Sequence, residues 1–411
     1  MEKKSFFSRI WDFTKSRKLS LYLLSIFVVA LIVGALLKAG SKYVFSTWWF
    51  MALALALFLN TLFCTLSRIR SAVKAAFRPP KRASLDFIQK SKNHEQFSYG
   101  STLREAVQSI NSVFTGRRYR LKQEETSEAV SISAQKGKFS IWASLIFHSS
   151  FVVILLGALL SLTTNLRGSV GLIEGETFTE QHQNYRIIKE APLFRENHQD
   201  FQVRLDKIYL SLDENGRPAE WSSDLVVLDD EEEVKRHHVH VNSALTYKGF
   251  VFYQTPMYSY SPLFILKDSE GNVLLDAYVS LSPIIKKGPE FKDSFSIPGS
   301  NPSNPQMKVK VQFYPDAVRT GNRLKTKSFI PRKPAVDLEV LVGKKRVFKG
   351  PVWLNQSAEF QGLRLTFAGV RFWADFLVVR DQGIPIVFAG FWIGLFGIVL
   401  RFWFTNKNIW V

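Results

Sequence analysis

The chain has a single cysteine, Cys64, in 411 residues. That count excludes a disulfide framework, a CxxC redox pair and a cysteine zinc site, and with them any autonomous thiol–disulfide exchange. Neither a glycine-rich phosphate loop nor a GxSxG nucleophile elbow occurs anywhere in it. Acidic residues are scarce outside one region: 27 of the 35 Asp and Glu fall within residues 163–384, and the chain as a whole carries a net charge of +19. No aromatic-interleaved basic patch and no helix-turn-helix pattern accompanies that charge, which argues against nucleic acid as a partner. Basic residues next to apolar spans instead sit on the anionic headgroups of membrane lipid.

What the chain has in abundance is apolar sequence in membrane-length runs. Four spans stand out, 20–37, 47–66, 141–162 and 384–404, and each is near the length a helix needs to cross a ~30 Å hydrocarbon core at ~1.5 Å per residue. Gly40 supplies a break, and Tyr43, Phe45, Trp48 and Trp49 an interfacial belt, so the first two spans form a hairpin. The segments around the spans differ in net charge: +4 over 1–19, +9 over 67–140 and only +2 over 163–384. By the positive-inside tendency the N-terminus, the 67–140 loop and the C-terminus are cytoplasmic, and the long segment before the last span is external.

The expected fold class is a membrane protein of α+β type, four transmembrane helices with a large β-rich, sandwich-like extracytoplasmic domain between helices three and four. Residues 1–66 form an N-terminal cytoplasmic segment and a transmembrane hairpin, 67–140 a small cytoplasmic subdomain, and 141–162 helix three. Residues 163–383 form the external domain, 384–404 helix four and 405–411 a cytoplasmic tail. Four helices with one intramembrane ionisable group and no inverted repeat give little support to a solute transporter.

Within 67–140, Pro79-Pro80 breaks the chain. Thr102 and Glu105 then stand at capping-box spacing before Leu103, Ala106, Val107, Ile110, Val113 and Phe114, which repeat with helical period. RYRLKQE and AVSISAQKGKFS follow as a hairpin. From residue 163 the period changes to two. Ten or so short alternating runs are separated by turns such as Glu214-Asn215-Gly216 and Glu270-Gly271-Asn272, and they predict a sandwich able to bury its own core. The stretch 282–306, with five prolines, reads as a long loop.

The residue that carries most functional weight is His148, inside IWASLIFHSSFVVILLGALLSL, a run with no Asp, Glu, Lys or Arg. An imidazole at that depth is costly unless it faces a protein interior or a ligand. A neutral histidine hydrogen-bonded to a neighbouring helix is the plainer reading, and the span alone does not choose between them. Asn60 and Cys64 share a helix face, where an asparagine ordinarily bonds to an adjacent helix. His237, His238 and His240 invite a metal reading, because His238 and His240 fall on one strand face. They follow the acidic run Asp229–Glu233, however, which looks like a solvated hairpin tip, and no ligand set is completed, so no metal is expected there.

Several stretches resemble the ResB family of cytochrome c biogenesis proteins, which belong to the haem-delivery pathway called System II. Trp48-Trp49-Phe50 with Asn60 and Cys64 is similar to the family's second helix, and His148 before Leu155-Leu156-Gly157-Ala158-Leu159-Leu160 resembles its third. Ser222-Ser223-Asp224-Leu225, Val241 to Gly249 and Phe252-Tyr253-Gln254 resemble a run in its external domain. Asp381-Gln382-Gly383-Ile384-Pro385 is similar to the entry into its last helix, with Gln382 where the family pattern has proline. The resemblance implies a protein that is no enzyme alone and works with a ResC/CcsA-type membrane partner. Together they would move haem outward for attachment to apocytochrome c, with His148 as an axial ligand of the haem iron and the second ligand supplied by the partner. The rival expectation is a non-catalytic anchored scaffold or apocytochrome chaperone that steadies the partner without binding haem.

Overall fold

The computed structural model describes residues 16–36, 44, 47–78, 81–98, 100–126, 129–194, 198–214, 218–282, 291–297, 307–321 and 323–411. Gly40, Tyr43, Phe45, the Pro79-Pro80 break and the turn residues Asn215 and Gly216 lie outside the described residues. The chain divides into two compact units, residues 1–163 with 382–411, and residues 164–381.

The first unit holds six helices among its described residues: α1 (Arg17–Leu36), α2 (Trp48–Phe77), α3 (Leu85–Lys90), α4 (Leu103–Gly116), α5 (Phe139–Thr164) and α6 (Gly383–Trp403). Of these, α1, α2, α5 and α6 are long and apolar enough to cross a membrane. Helix α2 does not stop at residue 66 as expected but runs on to Phe77, since neither glycine nor proline interrupts the stretch after Arg68. It ends at Arg78, which is extended (ψ 142°) as the residue before a proline must be. Ser20 of α1 donates to Asn60 Oδ1 at 2.5 Å and lies 3.8 Å from Cys64 Sγ, so the Asn60 and Cys64 face is turned to a neighbouring helix.

Helices α5 and α6 meet along a line of glycines. A Cβ at Gly157 would fall 2.8 Å from the Val387 nitrogen, one at Gly390 2.6 Å from Ile154, and one at Gly397 2.7 Å from the Phe147 nitrogen. Only hydrogen in place of a side chain permits that approach, which is how small residues bring membrane helices together when lipid offers no hydrophobic drive.

The expected capping box is present: Glu105 N donates to Thr102 Oγ1 and Thr102 N to Glu105 Oε2, starting α4. The hairpin is present too, Arg120–Glu125 against Val130–Lys136. The C-terminal residues differ from the tail that was expected. Lys407–Trp410 form a third strand on Ser133–Lys136, and the Trp410 indole donates to the Lys81 carbonyl at 2.9 Å. The segment entering α5 and the segment leaving α6 are therefore tied into one small sheet.

The second unit contains seventeen strands among its described residues and no α-helix, only a single 3-10 turn at His182–Asn184. Its frame is a pair of 18-residue strands, Phe250–Lys267 and Leu363–Arg380, which run antiparallel along their full length at the centre of a seven-stranded sheet. Two four-stranded sheets cover it and make two cores where a single sandwich was expected. In the first, Phe250, Phe252, Phe376 and Val378 of the long pair meet Val203, Leu225 and Val239. In the second, Phe264, Leu266, Leu365 and Phe367 meet Val309, Phe313 and Leu338.

A bulge lets one face of the long pair serve both cores. Leu263 pairs with Gly369 but Phe264 with Phe367, leaving Ala368 as the extra residue, so inward positions on that strand change from odd (Leu365, Phe367) to even (Phe376, Val378). The stretch expected as a loop also holds a strand, Phe291–Ile297, which pairs with Met307–Tyr314. Phe291 and Ile297 are buried there, and that apolar gain outweighs the flanking prolines.

Candidate functional site

Helix α5 places Ser140, Ser144 and His148 four residues apart, hence on one face, and all three line a cavity of about 670 Å³. Arg68 and Ser71 of α2 and Gly397 and Arg401 of α6 close other sides of it. The volume lies in the range of roughly 300–1,000 Å³ usual for small-molecule sites. His148 is half-buried, with its ring 5.8 Å from that of Phe147. Among the described residues neither of its ring nitrogens has a hydrogen-bond partner. No described neighbouring helix thus bonds to the ring.

The charged groups lie toward one end of α5. Arg401 donates to the Ser140 hydroxyl and approaches the Ser140 carbonyl at 3.4 Å, and Ser140 stands two turns before His148. The cavity is accordingly lined by one imidazole and by guanidinium groups from two other helices. Sequence reasoning found His148 and missed Arg68, Ser144 and Arg401. The four-residue spacing of Ser140, Ser144 and His148 was the available signal, whereas Arg68 was assigned to a loop because α2 was ended too early.

The other candidates are held by the protein itself. His237 Nε2 is 3.0 Å from the Ser243 hydroxyl, His238 Nδ1 is 2.6 Å from Asp224 Oδ1, and His240 Nδ1 is 2.9 Å from the Val241 carbonyl. They occupy the strand Glu232–Val239 and the residue after it, not the hairpin tip. The tip is Asp230-Glu231, both at positive φ.

Four helices of membrane-crossing length, joined in one chain to a two-core β unit, define a multi-pass membrane protein with a large β-rich region. The model of the ResB-like family matches residues 32–411, and the chain belongs to that family. Cytochrome c biogenesis protein CcsB of Nostoc sp. is 25% identical over 373 residues, covering 90% of this chain and 72% of that protein. CcsB of Microcystis aeruginosa is 24% identical over 385 residues, covering 91% and 75% respectively. Cytochrome c biogenesis protein Ccs1 of Porphyra purpurea is 27% identical over 218 residues, which are 53% of this chain and 46% of that one. A solved chain titled Cytochrome c Heme Lyase CcmF superposes with a TM-score of 0.31 at 10% identity over 94% of this chain and 45% of its own, a likeness too low to bear on fold or function.

Proposed function

We propose that this protein serves cytochrome c biogenesis by holding haem, as cargo, in the α2–α5–α6 cavity with the His148 imidazole on the iron. The observation that carries the reading is His148 itself: a ring in an apolar helix, lining a cavity, with no protein partner for either nitrogen among the described residues. Coordination would remove the cost of that unpartnered polar ring, and neutral imidazole is a good axial ligand for haem iron. The arginines fit the same cargo. Arg68 and Arg401 line the same cavity and would supply the positive charge that pairs with the carboxylates of a haem.

The charge pattern supplies the direction. With residues 67–140 and the C-terminus cytoplasmic and residues 164–381 external, His148 lies about 12 Å along α5 from the cytoplasmic end at ~1.5 Å per residue. Haem would then enter from the cytoplasm. A ResC/CcsA-type partner would pass it on toward apocytochrome c at the external face, and this chain would not be a synthase alone.

The experiment is His148→Gly in the protein purified with its membrane partner, followed by visible absorbance and by holocytochrome c assembly. Glycine in a helix interior costs only about 1 kcal/mol, so the protein should still insert. Bound haem and assembly should be lost, and added imidazole should partly restore both by filling the vacated position. Unchanged haem content and normal maturation in the glycine variant would leave the anchored-scaffold reading in its place.

A further inference from the structure

Outside the membrane helices, three side chains of the β unit converge without any part in the haem reading. Glu190 Oε1 lies 2.9 Å from His182 Nδ1 and 2.9 Å from His198 Nε2, and the three donor atoms are all within 4.8 Å of one another. We propose that His182, Glu190 and His198 form a binding site for a divalent transition metal of the zinc class. Two imidazoles and one carboxylate are a donor set suited to Zn²⁺ and to its neighbours in the Irving–Williams series. Donors in a tetrahedral zinc site stand roughly 3.3 Å apart given bond lengths of about 2.0–2.2 Å, so the two Glu190–histidine spacings of 2.9 Å have to open by only a few tenths of an ångström.

The stronger argument is the layer behind these ligands. His198 Nδ1 is 2.6 Å from Glu180 Oε1, and Glu180 is completely buried. Its second oxygen accepts from the Gln199 backbone at 2.6 Å, and the Tyr185 hydroxyl donates to the first at 3.0 Å. A carboxylate fixed in this way holds the His198 ring by Nδ1 and leaves Nε2 facing Glu190. This carboxylate–imidazole arrangement orients metal-bound histidines and raises their basicity.

The three ligands come from successive pieces of chain, the 3-10 turn, the end of the strand Ile187–Glu190 and the segment starting at His198, so a bound ion would staple them together. His182 is 61% exposed and His198 15%, which leaves a fourth position open to water on the His182 side. The spacing of eight and eight residues matches no short zinc motif, and the sequence gives no hint of the site for that reason.

The rival is a hydrogen-bonded clamp, with His198 held between Glu180 and Glu190 and no metal at all. Calorimetric titration of ZnCl₂ into the full chain separates the two, using detergent-solubilised protein carrying a tag without histidine and stripped with chelator. The expected result is one zinc per chain and a rise in melting temperature that chelator reverses. Because His182 is largely exposed, His182→Ala should fold and melt as the stripped wild type does, yet lose at least tenfold in zinc affinity, and Glu190→Gln should do the same. Glu180→Gln should weaken binding by about 10–100-fold, the usual effect of removing such a carboxylate. Substituting His237, His238 and His240 together with Ala should change nothing. The site is refuted if no saturable zinc binds, or if the stoichiometric zinc persists in both His182→Ala and Glu190→Gln.

Discussion

Replacing Gly397 by alanine tests whether the α5–α6 seam sets the shape of the His148 cavity. The added Cβ would sit 2.7 Å from the Phe147 nitrogen, 3.0 Å from its Cα and 3.1 Å from its Cβ. Carbon contacts are comfortable at about 3.5–4.0 Å, so the helices must part locally by close to 1 Å. The atoms in the way are main chain, which cannot rotate aside, and the residue they carry forward is His148. Overpacking of this kind costs about 1–3 kcal/mol. If that strain falls on the haem-loaded site, affinity drops by about 5- to 150-fold at 1.4 kcal/mol per tenfold. Gly394→Ala is the matched control. Its Cβ would meet mainly the Ser150 hydroxyl, at 2.8 Å, a group that can turn away. Haem absorbance per protein, with melting temperature alongside, should fall clearly for Gly397→Ala and little for Gly394→Ala. Equal losses in both, or a Gly397→Ala protein with full haem and unchanged melting, would show that the seam does not govern the cavity.

Reporter fusions after residue 120 should read cytoplasmic and those after residue 270 external; the reverse pattern would overturn the charge argument for direction. Asp337 lies mid-strand opposite Gln312 and Pro351, where burial pushes its carboxyl above the usual range, Glu339 adding to the shift and Lys349 opposing it. Ionising it therefore costs the folded state. The wild type loses this contribution as pH rises from about 4, the unfolded value, through the raised folded one. Asp337→Asn should accordingly melt higher than wild type at pH 7 and the same near pH 3, and a variant less stable at neutral pH would refute the assignment.

The four apolar helices could be found from hydropathy because each is a single long run, and α4 because Thr102 and Glu105 close a local box. Where one signal had to override another, the sequence misled. The basic residues Arg68 and Arg70 looked like the end of a span, but a helix can continue through the interface as long as nothing breaks its backbone. In the β unit the period-two phase slips inside the two longest strands. Leu363–Arg380 slips at Ala368, and Phe250–Lys267 is irregular between Gln254 and Tyr258. Neither therefore shows one unbroken period along its length, and the two cores they join looked like one. Lys407–Trp410 escaped notice for another reason: a four-residue strand has too few residues to show a period, and its partner lies more than 270 positions earlier in the chain. His148 was legible because a lone polar ring in an apolar run is conspicuous. The arginines around it were not, since only the packing of three helices brings them there.

The described residues of the cavity wall also limit what this chain would bring to a haem iron. Apart from His148, the lining offers serine hydroxyls, guanidinium groups and apolar side chains, and none of these is a nitrogen or sulfur ligand for haem. Cys64 is turned toward Ser20 of α1, and Met51 lies seventeen residues before Arg68 on α2, about 25 Å away along the helix at ~1.5 Å per residue. If His148 holds the iron, no second axial ligand stands among the described residues lining the cavity, and that position is left for the partner to fill. Haem in the chain purified alone should show the broad, weak bands of a five-coordinate or water-ligated iron and should wash out on dilution. Adding the partner should bring the sharp bands of a six-coordinate, low-spin iron together with retention. A six-coordinate low-spin spectrum in the isolated chain would mean that a second ligand resides in this protein, and the division of labour between the two subunits would have to be redrawn.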